Sequence, residues 1–240
     1  TFEANHPTAH NMADAIFLLG LTNHQLGNHT IAIQYFDQYL EQYPNIIDSY
    51  VLELSGDAYR SLAKYSTSAD YYESAILKPR GTNINFLLLD KAEVLQAAGK
   101  TPESIALFDL VANNTKYDNT RAQMDYKRAQ TMVAANQINT AIQYYKHAVN
   151  TYPESYYSYL SLVELLSYGT IVNEFQRGLI DYHADQHTPA ILAFRRYLST
   201  NPDHDAQAHY YMALSYRNLD NIAAAKLHFQ EIIDTHPNDP

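Results

Sequence analysis

The 240-residue chain is long enough for one large domain or two ordinary ones, and it carries a formal charge of −10 with no cysteine. Binding phosphates needs a basic stripe, so this balance excludes a nucleic-acid partner, and the missing thiols exclude disulfides while leaving the compartment open. No apolar run approaches the roughly 18 residues of a membrane span, and 22 tyrosines with 8 phenylalanines suit a packed protein rather than a disordered one.

In chain order, the first clear pattern is Gly20, then Ala32 twelve residues on, then Phe36 four further, with Pro44 closing the unit. The spacing predicts two helices, about residues 13–26 and 30–42. Small residues at Gly20 and Ala32 let the two backbones approach, and Phe36 fills the space beside them. Pro44 stops the second helix, because it lacks an N–H and clashes with the preceding turn.

The prolines repeat this unit. Pro7, Pro44, Pro79, Pro153, Pro202 and Pro237 are 37, 35, 74, 49 and 35 residues apart, and Lys116 sits where the 74-residue gap lacks one. Residues 1–10 read as the end of an earlier unit. Units then follow at 13–46, 49–81, 85–118 and 122–155. Their small and aromatic positions are filled in turn by Gly56, Ser68 and Tyr72; by Ala92, Ser104 and Phe108; and by Ala129, Ala141 and Tyr145. Ala63 and Gly99 fall among the recurring small positions. A single helix, 155–168, breaks the period before units at 171–204 and 206–239, which carry Gly178, Ala190 and Phe194, then Ala213, Ala225 and Phe229. Thr101-Pro102 and Thr188-Pro189 read as helix starts, threonine capping and proline taking the first helical position.

These residues resemble those of a tetratricopeptide repeat. The resemblance implies an all-α fold, a right-handed superhelical solenoid of antiparallel helix pairs forming one domain over 1–240, with the first helices lining its concave side. The chain starts inside a unit and stops at Asn238-Asp239-Pro240, where another first helix is due, so a fragment of a longer protein is expected. The last helix is expected to leave Ile222, Phe229 and Ile233 partly uncovered.

Motifs for chemistry are thin. His183 and His187 have i, i+4 spacing, but one ends a helix and the other lies in the turn before Thr188, so no metal site is expected. Glu73-Ser74, Glu103-Ser104 and Glu154-Ser155 lack the Gly-Leu-Met-Gln-like segment that follows the catalytic Glu-Ser of lytic transglycosylases. No nucleophile arrangement or phosphate-cradling loop is present. No catalytic residue, metal or cofactor is therefore assigned.

The repeat resemblance places Phe17, Glu53, Leu89, Tyr126, Phe175 and Tyr210 on the concave face, with Leu21, Asp57, Glu93, Gln130, Leu179 and Leu214 one turn on. The Lys and Asn of the family's carboxylate clamp are missing there, which disfavours acidic peptide tails as ligands. The binding residues expected are Phe17, Tyr126, Phe175, Arg177, Tyr182, Tyr210 and Arg217, with Arg60 as a further polar anchor. In most of the tyrosine pairs 71–72, 144–145, 156–157 and 210–211 one ring is expected in the core, and the other can face a groove.

A narrower likeness lies in Val172-Asn173-Glu174-Phe175-Gln176-Arg177-Gly178-Leu179-Ile180-Asp181-Tyr182, continuing through Ala190 to Leu198. This stretch is similar to the helical-repeat region of bacterial soluble lytic transglycosylases, with the single helix at 156–166 in the same arrangement. It implies a non-catalytic part of an envelope enzyme that cleaves peptidoglycan, positioning glycan strands or protein partners. The alternative is a free-standing scaffold that binds a peptide in its groove, with a cytoplasmic location left open.

Overall fold

The computed structural model describes residues 11–202 and 206–237, and among these it is entirely helical, with no strand. The readings of residues 1–10, of Asp203 to Asp205 and of Asn238 to Pro240 lie outside the described residues. Two compact units share the chain, residues 1–113 and 114–240.

The first unit holds three antiparallel pairs: α1 (Met12–Gln25) with α2 (His29–Gln42), α3 (Asp48–Ser61) with α4 (Tyr65–Ile76), and α5 (Asn85–Ala97) with α6 (Thr101–Asn113). In the second, α7 (Asp118–Ala134) pairs with α8 (Ile138–Thr151), and α9 (Tyr156–Ser167) follows alone. Next come α10 (Glu174–His183) with α11 (His187–Thr200), and α12 (Gln207–Asn218) with α13 (Ile222–Thr235). The single helix α9 packs on α7 and α8 and also meets α10.

Each unit has two separate cores instead of one centre. Ile16, Phe36 and Val51 join α1, α2 and α3, while Tyr72, Leu87 and Val94 join α4 and α5. Tyr145, Leu162 and Ile180 join α8, α9 and α10, and Phe194, Met212 and Ala225 join α11, α12 and α13. Contacts therefore run between consecutive helices, as in a repeat stack.

What brings the two helices of a pair together is an aromatic ring on the second set against a small residue sixteen positions earlier on the first. A Cβ added at Gly20 would lie 2.6 Å from the Phe36 ring, at Gly56 2.9 Å from Tyr72, and at Gly178 2.6 Å from Phe194. Ala32 is not among the nearest atoms; the Phe36 ring and the Tyr35 Cβ cover Gly20. Ala92 and Ala129, in the equivalent place, are fully buried, as are Phe108 and Tyr145 opposite them. Where the neighbouring small position is serine, its hydroxyl is satisfied across the pair: Ser68 Oγ donates to Gly56 O and Ser104 Oγ to Ala92 O, both at 2.8 Å.

The first helices all end alike. Gly27, Ala63, Gly99, Asn136, Asp185 and Asp220 have positive φ, between 55° and 78°. The next residue's N–H bonds back into the helix, as in Lys64 N to Tyr59 O and Lys100 N to Leu95 O, both 2.9 Å. This left-handed cap turns the chain sharply into the second helix. Ala63 and Gly99 are therefore exposed turn residues, not packing positions. After α9, Gly169 (φ 67°) and the bond from Thr170 N to Leu165 O repeat the device, so α9 ends as a first helix does but has no second.

Two helix starts differ from expectation. Thr101 and His187 are already helical, so the capping place falls to Lys100 and Gln186, whose carbonyls accept from Ser104 N and Ala190 N. The preceding turn fixes where the helix begins, and the prolines still occupy a first-turn position where no donor is needed. At the far end, α13 leaves Ile222 and Ile233 exposed and Phe229 half-buried.

Two measurements check this packing. Gly178→Ala should destabilise by about 1–3 kcal/mol in urea titration, since overpacking outweighs the roughly 1 kcal/mol that alanine gains in helix propensity; a stabilised variant would contradict it. Ala63→Gly should raise stability by about 1 kcal/mol, because a β-carbon in the left-handed region costs about 1–2 kcal/mol and the glycine's extra unfolded-state entropy offsets part of the relief.

Candidate functional site

The first helices carry most of the polar side chains predicted for a binding face, and several of them touch: α1 with α3, α9 with α7 and α10, and α10 with α12. In the first unit, α3 presents Glu53, Asp57 and Arg60 at helical spacing, and α5 presents Leu89, Asp90 and Glu93. Arg60 bridges the two helices, with Nη2 2.7 Å from Glu93 Oε2 and Nη1 3.4 Å from Asp90 Oδ1. Arg80 holds Glu53 at 2.6 Å and lies 4.3 Å over the Tyr50 ring. The Tyr72 hydroxyl donates to Asp57 Oδ1 at 2.5 Å. Burial, then the charge on Asp57, pushes the Asp90 carboxyl up to about 6 against the pull of Arg60. Four carboxylates thus share this face with two guanidinium groups. On α1, Phe17 is half-buried, edge-on to Tyr39 at 5.9 Å.

In the second unit the corresponding helices are aromatic. Tyr126 on α7 is half-buried between Tyr145 (5.8 Å) and Tyr157 of α9 (6.1 Å). Phe175 on α10 packs edge-on against Phe194 at 5.8 Å and against Tyr197 at 5.2 Å. Tyr182 meets Tyr211 at 5.1 Å, Tyr211 stacks on Phe194, and Tyr210 touches both Tyr211 and Phe229. The structure therefore joins Phe175, Tyr182 and Tyr210 through Phe194 and Tyr211, while Tyr126 belongs to a separate cluster. Only Tyr210 and Arg217 of the predicted set are exposed; Phe17, Tyr126, Phe175, Arg177 and Tyr182 are partly buried.

Two further networks surround buried carboxylates, and of their members only Arg177 was an expected binding residue. Asp125 is buried on α7, with Arg128 Nη1 2.7 Å from Oδ1 and His147 Nδ1 2.6 Å from Oδ2. The i, i+3 spacing of Asp125 and Arg128 is visible in the sequence, whereas His147 comes from the paired helix. On α10, Arg177 Nε lies 3.7 Å from Asp181 Oδ2, and neither atom has a hydrogen-bond partner. Burial pushes the Asp181 carboxyl up to about 6, with Arg177 and Arg196 pulling against it and Glu174 adding to it. Arg196 itself grips Glu174 through two 2.9 Å bonds.

The histidines of the 183–187 segment part company: His183 ends α10, and His187 opens α11 with its ring beside Tyr182 and Nε2 3.1 Å from Asn218 Nδ2. Of the Glu-Ser pairs, Glu73 lies on α4 ion-paired to Lys91, Glu103 opens α6, and Glu154 sits in the α8–α9 turn. That turn borders an open cavity of about 390 Å³ lined by Asp118, Asn119, Tyr152, Glu154 and Ser155. No helix among the described residues is long and apolar enough to cross a membrane.

Comparison with known proteins follows the geometry. Residues 14–45, 123–155 and 207–239 match the family model for the tetratricopeptide repeat. These segments fall on the α1–α2, α7–α8 and α12–α13 pairs. No curated protein matches the chain. Among solved structures, a tetratricopeptide repeat protein from Parabacteroides merdae is similar at 14% identity and a TM-score of 0.49, over 92% of this chain and 78% of that one. A TPR repeats protein from Bacteroides fragilis is similar at 17% identity and 0.45, over 92% and 97%. The type IV pilus biogenesis factor PilW is similar at 14% and 0.44, over 96% of each chain. The family match is to the repeat alone and lends no support to the lytic transglycosylase likeness.

Asp181 offers a pH test. Its folded-state value lies above that of an unfolded aspartate, so the stability it contributes is full below about pH 4 and is lost as pH rises through about 6. Asp181→Asn should therefore stabilise the protein by about 1–2 kcal/mol at pH 8 and by little near pH 4. Denaturant titrations at both pH values check it; a variant destabilised at pH 8 would show that Arg177 needs the charge.

Proposed function

We propose that the chain is a non-catalytic protein-interaction scaffold, taking a segment of a partner protein along the face that the first helices line. The observation that carries this reading is the combination of repeat pairs with a first-helix face bearing Glu53, Asp57, Asp90 and Glu93 against Arg60 and Arg80. Such a face favours a basic partner segment; in the second unit, exposed rings such as Tyr210 offer amphipathic contact area of their own. Phe17 joins the proposed binding residues of the first unit; those of the second are Tyr126, Phe175, Arg177, Tyr182, Tyr210 and Arg217, of which Tyr210 and Arg217 are exposed.

The second reading makes the chain the helical-repeat region of a peptidoglycan lytic transglycosylase acting in the cell envelope. Its support is the residue pattern from Val172 to Leu198, which places glycan strands among the candidate ligands.

Fluorescence anisotropy with three labelled probes separates these readings: a peptide alternating lysine with aromatic residues, a peptide with an acidic carboxy-terminal tail, and purified glycan strands. The scaffold reading expects the basic peptide to bind, with affinity falling as salt rises. Asp57→Asn combined with Glu93→Gln should weaken it about tenfold, on the scale of one or two lost contacts. Glycan binding without peptide binding would favour the second reading. Preference for the acidic tail would contradict both the charge argument and the missing clamp residues.

A further inference from the structure

The turn between α1 and α2 sets two imidazoles face to face. His24 lies in the last turn of α1 and His29 is the first residue of α2, and their Nδ1 atoms are 3.3 Å apart with ring centroids at 5.0 Å. Both rings are half-buried. The backbone holds them there: Gly27 reverses the chain at φ 78°, Asn28 N donates to Asn23 O at 2.8 Å, and Asn28 Nδ2 donates to Asn23 Oδ1 at 3.3 Å.

Two facing ring nitrogens can share one proton or one cation. In one tautomer an Nδ1–H of one ring donates to Nδ1 of the other; with both rings neutral and protonated at Nε2, both Nδ1 atoms are left as acceptors. Two nitrogens bound to zinc at about 2.0–2.1 Å in a tetrahedral arrangement are about 3.3–3.4 Å apart, matching the observed separation. Asp57 adds a negative charge to the surroundings of His24.

A second pair, His209 and His228, has its Nδ1 atoms 3.1 Å apart. There His228 lies flat on Tyr216, whose ring also carries Arg195, and that guanidinium adds positive charge to the site, partly offset by Glu231. A cation is opposed at the second pair by Arg195 and supported at the first by Asp57.

We propose that His24 and His29 form a binding site for a divalent transition-metal ion of the zinc class, clasping the α1–α2 hairpin. Among the described residues no group of three or more histidine or carboxylate side chains is placed to hold a metal. The site is therefore a two-imidazole one, completed by water and open to exchange, with micromolar affinity. Imidazole pairs suit zinc, nickel and copper, and exclude calcium and magnesium, which demand oxygen ligands.

Zinc chloride titrated calorimetrically into the full chain at pH 7.5 and pH 5.0 tests this. The proposal expects one micromolar site at pH 7.5, at least tenfold weaker binding at pH 5.0, and a zinc-dependent rise in the thermal midpoint. His24→Gln and His29→Gln, which keep polar side chains in the turn, should each weaken binding at least tenfold with unchanged far-ultraviolet circular dichroism. His209→Gln should leave it intact. Nitrogen-15 shifts of the two imidazoles should move at Nδ1 on adding zinc. Absence of binding, binding that survives both substitutions, or binding lost in His209→Gln would overturn the proposal.

Discussion

One contact recurs through the molecule and the rest depends on it: an aromatic ring pressed onto the backbone of a glycine or alanine in the partner helix. At Gly20, Gly56 and Gly178 the ring occupies the volume a β-carbon would need. Burying such a ring supplies about 1.5–3 kcal/mol, the scale on which a single hairpin is held. Because each ring meets a residue sixteen positions away, the stabilising contacts are local. The cores then join each pair only to its neighbours, so no distant segments need to meet.

This arrangement also decides which surface is available. The second helices spend Phe36, Tyr72, Phe108, Tyr145 and Phe194 on the interior, all essentially inaccessible to solvent. The first helices need only small residues at the crossing, which leaves other positions of α3 and α5 free to carry carboxylates and guanidinium groups. Scaffold and binding face are thus products of one asymmetry between the two helices of a pair.

The fold was largely legible in the sequence because its determinants are local. Gly20 and Phe36 mark a crossing and Pro44 a stop, and the same pattern recurs down the chain, although Ala32 does not meet Gly20 as its spacing suggested. The helix starts at Thr101 and Thr188 were misplaced by one and two residues, since the left-handed turn before them, not the threonine hydroxyl, sets the register. The candidate site was less legible. Sequence spacing put Phe175 and Tyr182 on a groove face, but their exposure depends on Phe194, Tyr197 and Tyr211, which arrive from other helices. Arg60 showed as a polar anchor, yet its partners Asp90 and Glu93 lie thirty and thirty-three residues away. The imidazole pair at His24 and His29 has no periodic signal, because the turn geometry alone brings the rings together.

The central claim is that each helix pair is held by its own ring-on-backbone crossing and leans only on its neighbours. Native-state hydrogen exchange on a Gly56→Leu variant tests it most directly. The account predicts that amide protection falls in α3 and α4 and in the helices that touch them, while α10 to α13 keep the protection of the parent protein. A uniform loss across all helices would contradict it and point to a single cooperative core.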